Sequence, residues 1–240
     1  MLVAAAVCPC PPLLVPGVAA GAAPELDSAR AACTDALGLL AAARPDRLVV
    51  VGPGDESEHG RYAGGTRGTF RGFGVDIDVT LGRPEADDAE PSPRRLPTSL
   101  AVAAWLLERT AWADAPIEGL VVGEPLTPER CIEIGRDVAV RAERVALLVM
   151  GDASACRTLK APGYLDERAA PFDASVARAL GKVDLAALKT LDTELAHELK
   201  VSGRAPWQVL AGAAEEAGLS GALLYEDAPH GVGYLVATWS

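Results

Sequence analysis

RVALLVMGD, residues 144–152, is an apolar run that stops abruptly at Gly151 and Asp152. A strand with one face in water alternates apolar and polar residues, whereas an unbroken Val/Leu run buries both faces. LVAAAV (2–7), RLVVVGPG (47–54) and EGLVVG (118–123) read the same way. Helix-like segments lie between these runs. PELDSARAACTDALGLLAAA (24–43) is rich in Ala and Leu, with Asp27 or Ser28 placed to cap its start. PTSLAVAAWLLERTA (97–111) is apolar nearly all round, with Thr98 or Ser99 as cap, and reads as a buried helix. TPERCIEIGRDVAVRA (127–142) carries Pro128 and Glu129 in its first turn, both helix-start signals. Strands buried on both faces and alternating with helices predict one α/β domain over residues 1–240, a mainly parallel central sheet with helices on both faces.

The remaining elements follow from period and punctuation. GTFRGFGVDIDVTL (68–81) alternates from Val75 to Val79 and predicts a hairpin on the sheet edge. EADDAEPSPRR (85–95) predicts a surface loop. After 152 an irregular stretch runs to about Pro171, three short helical segments fill 172–218, and GALLYED (221–227) with GVGYLVATW (231–239) closes the chain as a hairpin.

Half of the 240 residues are hydrophobic, ample for a core, and the formal charge is −11 with a pI of about 4.8. Such a surface repels phosphate backbones, and no Lys/Arg cluster offsets it, so nucleic acid is not an expected partner. The apolar start MLVAAAV lacks a basic n-region and meets prolines by position 9, unlike a secretory signal. No stretch reaches the ~18–20 apolar residues of a membrane span. Five scattered cysteines form no disulfide framework. These features predict a cytoplasmic protein with no membrane partner, and they leave homo-oligomerisation open.

In open α/β sheets, ligands bind beyond the carboxyl ends of the strands. The exits here are CPCPP (8–12), GPGDESEH (52–59), GEPL (123–126), GDASACR (151–157) and YEDAPH (225–230). They supply Cys8, Cys10, Asp55, Glu56, His59, Asp152, Ser154, Glu226, Asp227 and His230. Cys8 reads as a small buried hydrophobe, whereas Cys10 stands beyond the strand among prolines. His59 and His230 are candidate general bases near neutral pH, each also readable as an ordinary loop residue; His197, in an amphipathic helix, reads as structural. No P-loop, GxSxG elbow, HExxH or GxGxxG after the first strand is present, and CPC has neither the CxxC redox spacing nor a second Cys/His pair for zinc.

Taken together, MLVAAAVCPCPPLLVP, VVVGPG, LVMGDASACR…APGYLDERAAPFDASV, SGRAPWQVL and YEDAPHGVGYLVATW resemble the subunit-B-like class III extradiol dioxygenases, a superfamily that includes the Memo-like proteins. The resemblance spans nearly the whole chain. It implies a single α/β domain and, in active members, a non-haem Fe(II) held by two His and a carboxylate, which binds a catechol and O₂ and cleaves the ring beside the diol. Carried over to this sequence, the ligand set is degenerate. Cys10 stands where the first His is expected, Gly54 or Asp55 where the second is, and Ser202 where Memo-like relatives place a cysteine ligand. Glu226 is the candidate carboxylate by location. Ala155 follows Ser154 where the acid/base His belongs.

The expectation is therefore a diverged dioxygenase-like protein without the usual iron, binding a small, possibly aromatic, molecule or a protein partner in the inherited pocket. Its lining would include Asp55, Ser154, Ser202, Arg204 and Glu226, and no cofactor is expected. Two alternatives stand. One is an active aromatic-diol dioxygenase with an altered Fe(II) or Zn(II) site built on Cys10, Asp55 and Ser202 or Glu226. The other is a metal-independent enzyme with Cys10 as nucleophile, His59 or His230 as base, and Arg204 holding an anionic substrate.

Overall fold

The computed structural model describes residues 1–84, 94–123 and 125–240. All but the last two residues of the loop expected at 85–95 lie outside the described residues. The strands are β1 (Leu2–Cys8), β2 (Arg47–Pro53), β3 (Gly60–Tyr62), β4 (Arg67–Thr69), β5 (Asp78–Thr80), β6 (Ile117–Val122), β7 (Val145–Met150), β8 (Gly221–Asp227) and β9 (Tyr234–Trp239). The helices are α1 (Pro16–Ala19), α2 (Asp27–Ala42), α3 (Thr98–Arg109), α4 (Pro128–Ala139), α5 (Ala169–Lys182), α6 (Leu185–Lys189), α7 (Thr193–Glu198) and α8 (Arg204–Ala213).

Seven strands form one sheet in the order β3-β6-β2-β7-β1-β9-β8. Its centre, β6-β2-β7-β1, is parallel, and β3, β9 and β8 add antiparallel pairings at the flanks. The unbroken apolar runs have the cause read from sequence. Val7, Val49, Val51, Leu147 and Val149 face a core built with α4, α5 and α8, while their neighbours Ala6, Cys8, Val50, Leu148 and Met150 face one built with α2 and α3. Successive residues of a strand point to opposite faces, so a sheet covered on both sides leaves no polar position along it.

Local capping differs from expectation. A 3₁₀ segment, Ala20–Leu26, runs straight into α2, so neither Asp27 nor Ser28 caps it, and Asp27 instead pairs with Arg30 at 2.6 Å. Thr127 does cap α4, accepting from the Arg130 N–H. Pro97 takes the N-cap of α3, and Ser99 is buried with its hydroxyl donating to the Pro53 carbonyl at 2.6 Å. The pair β4–β5, expected on the edge of the main sheet, is a separate two-stranded sheet, and β3 holds that edge. Four helices rather than three fill 169–213, because Asp184 and Asp192 each cap a new start. The β8–β9 hairpin forms as read.

Candidate functional site

Five strands run in one direction, so the exits of β6, β2, β7, β1 and β8 share one end of the sheet, where β9 begins. Adjacent strands lie about 4.8 Å apart, which sets who meets whom. β7 separates β1 from β2, so the exits carrying Cys10 and Asp55 are not neighbours. The β2 and β8 exits, with Asp55 and Glu226, are four strand spacings apart, roughly 19 Å.

The neighbour of the β1 exit is that of β7, and there a cluster forms. The last rung between them is the Gly151 N–H donating to the Cys8 carbonyl at 3.0 Å. Beyond it the chain reads Pro9, Cys10, Pro11, Pro12, and proline has no N–H. Cys10 therefore carries the single backbone donor of that turn, and it donates to Asp152 Oδ1 at 2.8 Å. On the other side, the Asp152 N–H donates to Ser202 Oγ at 3.1 Å, while the N–H groups of Ser202 and Gly203 donate to the Asp152 carbonyl at 3.2 and 3.0 Å. This clasp draws the start of α8 onto the end of β7. It requires glycine on both sides: a Cβ on Gly151 would lie 2.5 Å from Gly203 Cα, and one on Gly203 would lie 2.2 Å from the Trp207 ring. Tyr234, buried at the start of β9, completes the group.

Burial decides the electrostatics. It pushes the Cys10 thiol well above the ordinary range, the Asp152 charge adds to this, and a hydrogen bond with Ser202 only partly offsets it. Asp152 is raised to about 7, again by burial, against the lowering effect of the Cys10 N–H. Tyr234 is raised by burial and then by Asp152 and Cys10. At neutral pH the site is thus a thiol, a hydroxyl and a phenol, all neutral, around one carboxyl midway through its titration. Its one group suited to proton exchange near pH 7 is Asp152. Asp152 and Ser202 keep partial solvent contact, and Cys10 is the most accessible of five free thiols, at 7 % against 0–2 % for the others.

The other residues singled out from sequence lie elsewhere. Asp55 is exposed, its N–H bonded to the Glu58 carboxylate at 2.9 Å. The His59 ring fills the space a Gly123 side chain would need, with Nε2 buried and unpartnered. His230 Nδ1 lies 3.8 Å from Glu25, and Glu226 is exposed on β8. Ser154 is buried and bonds twice to Asp173, at 2.9 Å from its N–H and 2.8 Å from its hydroxyl. Arg204 is buried, donating to the Leu126 carbonyl at 3.0 Å and to Gln208 at 2.8 Å, which ties the start of α4 to α8. So Cys10 and Ser202 come together, whereas Asp55, Ser154, Glu226, His59 and His230 do not join them. Asp152, counted among the exit residues but given no role from sequence, is the partner that joins them. The signal was its place two residues beyond the fully buried β7, beside a glycine.

These donors do not fit a ferrous facial site. Such a site needs imidazole and carboxylate ligands, but no histidine is in the cluster, Cys10 is held as a thiol, and Asp152 Oδ1 is engaged by the Cys10 N–H. Among the described residues no group of three or more His, Cys, Asp or Glu is arranged to hold a metal.

No protein-family model matches the chain, and no curated protein does. Among solved structures it is similar to the crystal structure of uncharacterized protein JW3007 from Escherichia coli K12, at a TM-score of 0.53 and 15 % identity over 99 % of both chains. That likeness concerns the fold, and it extends the α/β architecture along the full length of both proteins. Among the described residues no helix is long and apolar enough to cross a membrane.

Proposed function

We propose that this chain is a diverged relative of the class III extradiol dioxygenases, acting in the cytoplasm, that binds a small polar, aromatic-type molecule at the β1/β7/α8 corner and does not use iron to cleave it. The observation that carries this reading is the Cys10–Asp152–Ser202 cluster. It stands at the first strand exit, where the resemblance places a metal ligand, and it offers a neutral thiol, a hydroxyl and a titrating carboxyl with no imidazole among them. A thiol, a hydroxyl and a titrating carboxyl beside a phenol suit a ligand hydroxyl or amide, which donates to and accepts from them. A thiolate mechanism through Cys10 has less support, since nothing near Cys10 stabilises its anion except the Ser202 hydrogen bond, and neither candidate histidine joins the cluster.

The test is direct. Protein purified without chelator or added metal should contain iron and zinc far below one per chain. Supplied with Fe(II) and ascorbate, it should form no ring-opened product from catechol, protocatechuate or dihydroxyphenylalanine. A yellow product whose rate follows Fe(II) would overturn the reading. Phenolic ligands found by NMR screening should shift the amides of residues 8–12, 151–154 and 202–203 and lose affinity on Asp152→Ala.

A further inference from the structure

A cleft of about 740 Å³ opens at the same end of the sheet but one strand further out, between the 157–165 connection and the turn joining β8 to β9. That volume lies within the roughly 300–1,000 Å³ of organic ligand sites. Its polar lining is Arg157, Thr158, Lys160 and His230, with no acidic side chain. Its apolar lining is Leu159, Leu165 and Pro229, and the two leucines are 62 % and 46 % exposed. No carboxylate lines it, although the chain holds 33 acidic residues and a formal charge of −11. A basic hollow on so acidic a surface concentrates anions that the rest of the molecule repels.

The walls are fixed. The Arg157 N–H donates to the Gly231 carbonyl at 3.0 Å, and Gly231, at φ +77°, presses so close to Ala161 and Thr158 that a Cβ would lie 2.6 Å from each. Two nearby carboxylates are engaged by arginines. Asp173 takes the Arg157 Nη1 at 2.9 Å and Asp166 pairs with Arg168 at 2.7 Å, while Glu25, 3.8 Å from His230 Nδ1, lies outside the lining. Lys160 has no ion-pair partner among the described residues, so the cleft offers one unpaired ammonium, with exposed leucines beside it. We propose that this cleft binds a small monocarboxylate with an apolar body. One free cation flanked by hydrocarbon favours a monoanion over a dianionic phosphate, and the leucines give the apolar body a surface to cover. The proposal is independent of the Cys10 cluster.

Titration of the ¹⁵N-labelled protein with phenylacetate tests it. Saturable shifts are expected at millimolar ligand, confined to residues 157–165 and 229–231. Phenethylamine should give none, and phenyl phosphate should bind no more tightly than phenylacetate. Lys160→Glu, a change at an exposed position, should weaken phenylacetate at least ten-fold while leaving the spectrum folded. The proposal is overturned if phenylacetate gives no saturable shifts, if its shifts centre on Cys10 and Asp152, if the amine binds equally, or if Lys160→Glu leaves affinity unchanged.

Discussion

At the scale of single residues, Asp152 is the group whose behaviour departs most from its sequence. Its carboxyl is raised from 3.8 to about 7, so the folded state holds the proton more tightly than the unfolded chain does. Stability from this group is therefore fully present below pH 4 and is lost as pH rises to about 7. The full shift corresponds to about 4 kcal/mol, and the solvent contact of Asp152 reduces this to roughly 1–3 kcal/mol. Asp152→Asn keeps an acceptor for the Cys10 N–H and cannot ionise. Urea unfolding at pH 5 and pH 8 should show wild type losing the greater part of that amount relative to the variant; parallel curves would contradict a titrating Asp152. Cys10 gives a second expectation. Brief iodoacetamide treatment of the native protein should modify Cys10 ahead of Cys33 and Cys131, which are fully buried. The reaction should be slow at pH 7.5 and accelerate beyond pH 9, because the thiol is held protonated. Mass spectrometry locates the label, and first modification at a buried thiol would contradict the accessibility order.

At the scale of elements, the sharpest feature is the contact of α4 with α8. A Cβ on Gly135 would lie 2.0 Å from the Val209 carbonyl oxygen, and one on Gly212 would lie 2.2 Å from that of Ile132. The helices meet backbone to backbone through these two glycines. Gly135→Ala must push them apart and should destabilise by about 1–3 kcal/mol. Gly38, inside α2, has nothing within 4 Å of a built Cβ, so Gly38→Ala should stabilise by about 0.5–1 kcal/mol. Denaturation of both variants decides, and equal signs would refute the packing argument. This contrast also marks what the sequence could disclose. The buried strands were legible because covering both faces leaves only apolar residues, and the start of α4 because Pro128 and Glu129 act locally. The α2 cap was misread because a preceding 3₁₀ turn, invisible to a capping rule, satisfies that end. The meeting of Cys10 with Asp152 rather than Asp55 depends on strand order, which pairing partners far along the chain determine.

At the scale of the whole molecule, the sheet depends on its latest strand in sequence. β9 covers one side of β1, and Trp239 is fully buried there, its indole N–H donating to the Leu180 carbonyl at 2.6 Å. Removing residues 234–240 would strip β1 of a partner and bare both core faces beside it, so that variant should appear in the insoluble fraction on expression. A soluble, monomeric truncation would show that the β1–β9 pairing is dispensable.

The position of β1 has a consequence in time. Ala5 is hydrogen-bonded into a ladder opposite Leu147 on one side and Trp239 on the other. Neither side can form before widely separated stretches have found each other, and such closures are slow. Refolding from denaturant should therefore run in milliseconds to seconds or longer, with the amides of β1 protected in the final phase, and the Cys10–Asp152 corner, which hangs from the end of that strand, should assemble last.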